Sequence, residues 1–153
     1  MLSIERQPAI HIFTSMFYKR LIDTPKKVTE VNSFECDMSL SKAQIRYMRV
    51  HKWTKKINLF DKTMVLIPIC EHDHWYLVIA INLNNIMRGN QKNIKDGKGT
   101  PFIMVLDSWG NTEPEAVTTI RQFFAQEWEA KVKCCVICFG QITINLKAIM
   151  SSV

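Results

Sequence analysis

His74 and Asp107 are the two residues whose chemistry and placement could support a reaction. His74 opens an apolar run, His74-Trp75-Tyr76-Leu77-Val78-Ile79, and Asp107 closes another, Ile103-Met104-Val105-Leu106-Asp107. If these runs are antiparallel neighbours in a sheet, the start of one lies beside the end of the other, and the two polar side chains meet at one edge. An aspartate in that position fixes the tautomer and orientation of an imidazole, which can then activate a thiol or a hydroxyl. Histidine and aspartate at strand ends also serve as capping and turn residues, so the pair alone leaves both readings open.

Several elements must position the pair. Thr63 to Cys70 is a continuous apolar run rich in β-branched residues and reads as a buried strand, bent or ended at Pro68, which lacks a ladder donor. The short polar stretch Glu71 to Asp73 joins it to the strand His74 to Leu83, which predicts an antiparallel hairpin. Asn84 to Thr100 is polar and glycine-containing and reads as a flexible insertion before the strand Pro101 to Asp107. Ser108 to Asn111 turns the chain, and Thr112 with Glu115 has capping-box spacing for a helix that runs to about Lys131. Its apolar stripe is Val117, Ile120, Phe124 and Trp128.

Upstream, Ile10 to Phe13 reads as a short extended segment and Ser15 to Leu21 as a helix offering Met16, Phe17 and Leu21 to a core. Asp23 to Asp37 is expected as a surface loop. Ser41 to Trp53 reads as a second helix, with Ser41 and Gln44 at capping-box spacing and Ile45, Met48 and Lys52 recurring at helical period. Lys42, Arg46, Arg49, Lys52, Lys55 and Lys56 give this region a basic surface, read either as a solvated helix face or as a surface for an acidic partner.

Composition sets the bounds. With 153 residues, 47% apolar and 10% aromatic, the chain is long enough for one core. The net charge of +6 is compatible with acidic partners without choosing among them. Met1 to Pro8 is not a secretory signal, and no apolar run reaches the roughly 20 residues of a membrane helix, so the expected compartment is nuclear or cytoplasmic, with no membrane partner and reduced thiols. The five cysteines are Cys36, Cys70, Cys134, Cys135 and Cys138. Cys135 and Cys138 form a C-x-x-C without a second ligand pair, so no metal and no cofactor is expected.

Ordered blocks add to this reading. They are Phe13-Thr14-Ser15-Met16-Phe17-Tyr18-Lys19-Arg20-Leu21, Arg49 to Phe60, Val65-Leu66-Ile67-Pro68, His74-Trp75, Ile103 to Ser108, and the helix end Glu127-Trp128-Glu129. In this order and spacing, from about Ile10 to Val132, the chain resembles the Ulp/sentrin-specific proteases, papain-like cysteine peptidases that process SUMO precursors and remove SUMO from lysines. The insertion before the Asp-Ser strand and the Phe17 to Leu21 block resemble the branch that trims SUMO chains. The resemblance implies an α+β fold with a mostly antiparallel central sheet flanked by helices. It implies His74 as catalytic base and acid, Asp107 as its orienting partner, and Trp75 as a wall around the Gly-Gly tail of SUMO. Trp75 is read as serving both as that wall and as a core aromatic, and Trp53 is read as packing.

The resemblance stops near Val132. The family's nucleophile lies in a Gln-then-Asp-Cys-Gly segment, whereas here Cys134, Cys135 and Cys138 precede Gln141 and no Asp-Cys-Gly follows it. The Leu-Asn-Asp segment expected before Ser15 is also missing. The expectation is therefore a domain truncated at both ends: residues 1–132 as a partial Ulp-type catalytic domain and 133–153 as a divergent tail, from a splice variant or a partial gene model. Loss of the nucleophile-bearing core helix would expose apolar surface and leave marginal stability. The implied function is a SUMO-deconjugating cysteine peptidase, inactive as this chain alone. The alternative is a non-catalytic fragment that binds SUMO or another ubiquitin-like modifier. Partners are SUMO or SUMO-conjugated proteins; no nucleic-acid motif accompanies the basic helix.

Overall fold

The computed structural model describes residues 9–23, 40–87 and 99–133. Strand β1 is Ile10–Ile12, helix α1 Met16–Ile22, α2 Lys42–Val50, β2 Met64–Glu71, β3 His74–Ile81, α3 Asn84–Met87, β4 Phe102–Asp107 and α4 Pro114–Trp128. The strands form one mixed sheet in the order β1-β2-β3-β4. β1 runs parallel to β2, and the β2–β3 and β3–β4 pairs are antiparallel. This is the expected α+β class with a mostly antiparallel sheet.

The two faces of the sheet differ in what covers them. Val65, Ile67, Ile69, Tyr76, Val78 and Ala80 form one buried core with Phe13, Phe17 and Leu21 and with Ile120, Phe123 and Phe124 of α4. Side chains alternate along a strand. The other face therefore carries Ile10, Ile12, Leu66, Pro68, Trp75, Leu77, Phe102, Met104 and Leu106, and six of these are large apolar residues exposed to solvent: Ile10, Ile12, Trp75, Phe102, Met104 and Leu106.

Pro68 neither bends nor ends β2, because the register continues to the Glu71–His74 pair. The Leu66 carbonyl accepts the Phe13 amide on the β1 side, and alternate residues share a side. Pro68 therefore turns its missing N–H toward β1 beyond Ile12, the last residue that β1 pairs, so no ladder bond is lost.

The helices hold four corrections to the sequence reading. Met16 is exposed, and α1 buries Tyr18 with Phe17 and Leu21 instead. Ser41 and Gln44 do close a capping box, but α2 ends at Val50 in a 3-10 turn, His51–Trp53. Its core side is Val50 and Tyr47, whereas Met48 and Lys52 are exposed. The Thr112–Glu115 box does not form: Pro114 takes the first helical position, and Glu113 caps α4 with φ of 45° and no side-chain bond. Asn84 to Met87, read as part of a flexible insertion, is helical. The predicted loop beyond Asp23, the rest of that insertion, and the tail with Cys134, Cys135, Cys138 and Gln141 lie outside the described residues.

Candidate active site

The β2–β3 hairpin begins the site. Glu71 pairs with His74, so only His72 and Asp73 form the loop, with φ of 50° and 62°. Positive φ at both positions suits the right-handed twist of a two-residue hairpin. On the other side of β3, Tyr76 pairs with Asp107. His74 stands two residues from Tyr76, on the same face, just past the end of β4.

Asp107 reaches across that gap. His74 Nε2 lies 2.6 Å from Asp107 Oδ1, with 12% of the histidine side chain exposed and 0% of the aspartate side chain. The same oxygen accepts the Trp109 amide at 2.9 Å. The turn that brings this amide back is closed by the Gly110 amide donating to the Asp107 carbonyl at 3.1 Å, with φ of 76° at Gly110. The Trp109 amide first, then the His74 ring, hold the Asp107 carboxyl below its ordinary 3.8; burial works in the opposite direction and is outweighed. An ionised carboxylate only accepts hydrogen bonds. Nε2 therefore carries the ring hydrogen, and Nδ1 keeps a lone pair free to take a proton.

Three aromatic or acidic neighbours complete the setting. The Trp109 indole stacks on the imidazole with ring centres 3.7 Å apart and planes 15° apart. The Tyr76 ring lies 6.2 Å away at 25°. Its hydroxyl donates to Glu71 Oε2 at 2.5 Å, placing a second carboxylate on the β2 side of the histidine. Burial and then Glu71 push the Tyr76 hydroxyl far up from its ordinary 10.0. Trp109, Tyr76 and Glu71 are not among the site residues that the sequence reading singled out. The available signal for Tyr76 was strand alternation, which puts the residue two beyond His74 on the same face.

The remaining sequence candidates fall elsewhere. Trp75 is 59% exposed on the opposite face of the sheet, so it is not a core aromatic. Trp53 lies 5.9 Å from Phe17, ring centre to ring centre, and is 40% exposed, so its packing is partial. Cys70, the one free cysteine among the described residues, pairs with Trp75 and shares that opposite face, pointing away from His74. Among the described residues no group of three or more His, Cys, Asp or Glu side chains could hold a metal ion, and no helix is long and apolar enough to cross a membrane.

Residues 1–137 match the family model for the Ulp1 protease family, C-terminal catalytic domain. Sentrin-specific protease 7 of Homo sapiens is 44% identical over 69 residues, which is 45% of this chain and 6% of that protein. Probable ubiquitin-like-specific protease 2B of Arabidopsis thaliana is 23% identical over 129 residues, 84% of this chain and 13% of that protein. The chain thus spans only a small part of the length of either relative. A solved structure described as a de-sumoylating protease superposes with a TM-score of 0.61 at 22% identity, covering 97% of this chain and 44% of that one. At that identity the likeness is one of fold.

Proposed function

This chain belongs to the Ulp1 protease family, C-terminal catalytic domain, and on that premise we propose that it carries the base-and-orienter half of a cysteine peptidase that releases SUMO. The observation that carries this reading is the 2.6 Å contact from His74 Nε2 to Asp107 Oδ1, which leaves Nδ1 as the proton acceptor. The thiol proton passes to Nδ1 while the sulfur attacks the carbonyl carbon of SUMO's terminal glycine. The imidazolium returns the proton to the departing lysine amine, and water then hydrolyses the thioester. Asp107 holds the ring throughout and steadies its cationic form. Trp75, beside His74 in sequence and exposed, is the wall for the glycine tail in this reading. The substrate class extends to SUMO chains, on the resemblance of the Phe17 to Leu21 block.

Cys70, the one cysteine among the described residues, faces away from Nδ1, and no Gln-then-Asp-Cys-Gly segment stands in this sequence, so the chain alone is expected to cleave SUMO conjugates little or not at all. That same observation favours a second reading, in which the chain binds the modifier without cutting it. Its residue ranges, 1–132 as the catalytic portion and 133–153 as a separate tail, belong to the proposal.

The test incubates the folded chain with SUMO bearing a carboxy-terminal electrophile, with ubiquitin carrying the same group as control. SUMO binding without an adduct is the expected result and supports a domain whose nucleophile is not at His74. An adduct on Cys134, Cys135 or Cys138 would keep the chemistry and overturn inactivity. An adduct on Cys70, or no binding at all, would overturn the proposal.

A further inference from the structure

We propose that Trp109 is a positioning residue for His74, fixing the imidazole with its ring and the Asp107 carboxylate with its own amide. The inference rests on the reading of His74 as the general base. Two separate contacts carry it: the indole lies 3.7 Å from the imidazole at 15°, and the Trp109 amide donates to Asp107 Oδ1 at 2.9 Å. One residue thereby touches both members of the pair.

Core packing does not account for this tryptophan. Its surface is 72% exposed, the most exposed of the large apolar residues described, while the histidine side chain beneath it is 12% exposed. The indole is held in water against one face of the imidazole. The turn from Asp107 to Gly110, closed by the Gly110 amide on the Asp107 carbonyl, brings Trp109 over the ring.

Without the stack, the ring would be held by its Cβ–Cγ bond and by one hydrogen bond at Nε2. These two anchors lie near one axis and restrain turning about it weakly, whereas a parallel ring fixes the plane and so aims Nδ1. An indole face also attracts a cation, so the same contact holds the ring after it takes a proton. The charged or titratable groups around the imidazole are Asp107 on β4, Glu71 on β2, Tyr76 on β3, and His72 and Asp73 in the hairpin loop. None of these lies in a parallel stack as close as Trp109.

The test is magnetic resonance of the isotope-labelled chain, reading the His74 ring in the natural protein, in Trp109→Leu and in Trp109→Phe. The natural protein should show His74 ring protons displaced upfield by the indole, nuclear Overhauser contacts between the two rings, and a dominant Nε2–H tautomer. Trp109→Leu should lose the displacement and the fixed Overhauser contacts between the His74 ring and its neighbours, while Asp107 keeps the Nε2–H tautomer, and Trp109→Phe should restore part of what is lost. Unchanged His74 signals in a folded Trp109→Leu would overturn the proposal. If Trp109→Leu unfolds, the Overhauser contacts in the natural protein decide: their presence supports the stack and their absence overturns it. No cleavage is needed, so a failure here is distinguishable from a failure of the peptidase reading.

Discussion

The buried carboxylate of Glu127 accepts the Tyr47 hydroxyl at 2.8 Å, joining residues 80 positions apart. Thr54 Oγ1 donates to the same oxygen at 3.0 Å, and Lys131 Nζ lies 2.5 Å from the other. Lys131 also donates to the carbonyls of Thr54 and Ile57. This cluster ties α4 to α2 and to the turns after it, and so fixes the helical layer behind the sheet. Burial first, then the Glu127 bond, push the Tyr47 hydroxyl far up from its ordinary 10.0.

Removing the carboxylate should therefore be costly. Glu127→Ala removes the carboxylate shared by Lys131, Tyr47 and Thr54 and should destabilise by about 3 kcal/mol, since Lys131 keeps the Thr54 and Ile57 carbonyls and Thr54 keeps the His51 carbonyl. Glu127→Gln keeps part of the bonding and should cost less, and Tyr47→Phe about 1 kcal/mol. Urea unfolding followed by circular dichroism measures all three. A Glu127→Ala midpoint equal to that of the natural chain would mean the cluster adds nothing to the fold.

The outer face of the sheet gives a prediction about solubility. Phe102, Met104 and Leu106 are exposed side by side on β4, which stands at the edge of the sheet among the described residues. A contiguous apolar patch on an edge strand favours association. Met104→Lys with Leu106→Lys should reduce light scattering at a given concentration, with unfolding free energy shifted by no more than about 0.5 kcal/mol per site. His74 and Asp107 lie on the opposite face and should keep their resonance signals. Scattering that does not change would locate the association surface elsewhere.

The hairpin loop is open to improvement. His72 and Asp73 both sit at positive φ, a conformation that costs most side chains energy and that Asn-Gly adopts readily. His72→Asn with Asp73→Gly should stabilise by about 1 kcal/mol. For a chain of this size that raises the melting temperature by about 2–4 °C. A lower melting temperature would show that the natural side chains hold the loop by contacts beyond backbone preference.

Much of this architecture was legible in the sequence, for identifiable reasons. Dense apolar runs marked β2, β3 and β4, and the short link before His74 made the first pair antiparallel, whereas the β3–β4 pairing that brings His74 and Asp107 to one edge entered the sequence reading only as a condition. The Ser41–Gln44 capping box was legible because both of its bonds are local. The Thr112–Glu115 spacing misled because Pro114 suits the first helical turn and moves the cap to Glu113. Helical period marked a stripe on α2 without showing that Tyr47 and Val50 would be its inner side. Glu127 entered the sequence reading only as part of the helix end, because its burial depends on partners far away in the chain. Trp109 was hidden because its contact with His74 exists only once the β3–β4 register is set.

Asp107 makes the response to acid specific. Its carboxyl is held below 3.8 in the folded protein, chiefly by the Trp109 amide and then by His74. On acidification the unfolded chain takes up this proton first, so the contribution of Asp107 is complete above about pH 4 and is lost as the pH falls through the lower folded value. Asp107→Asn has no such proton to bind. Its unfolding midpoint should fall less steeply than that of the natural chain below about pH 4, while above that range the variant is the less stable of the two. Denaturation series across the acid range compare the slopes directly. Parallel slopes would mean that Asp107 is not held ionised by these bonds, and the assignment of the hydrogen to Nε2 and the free lone pair to Nδ1 of His74 would fall with it.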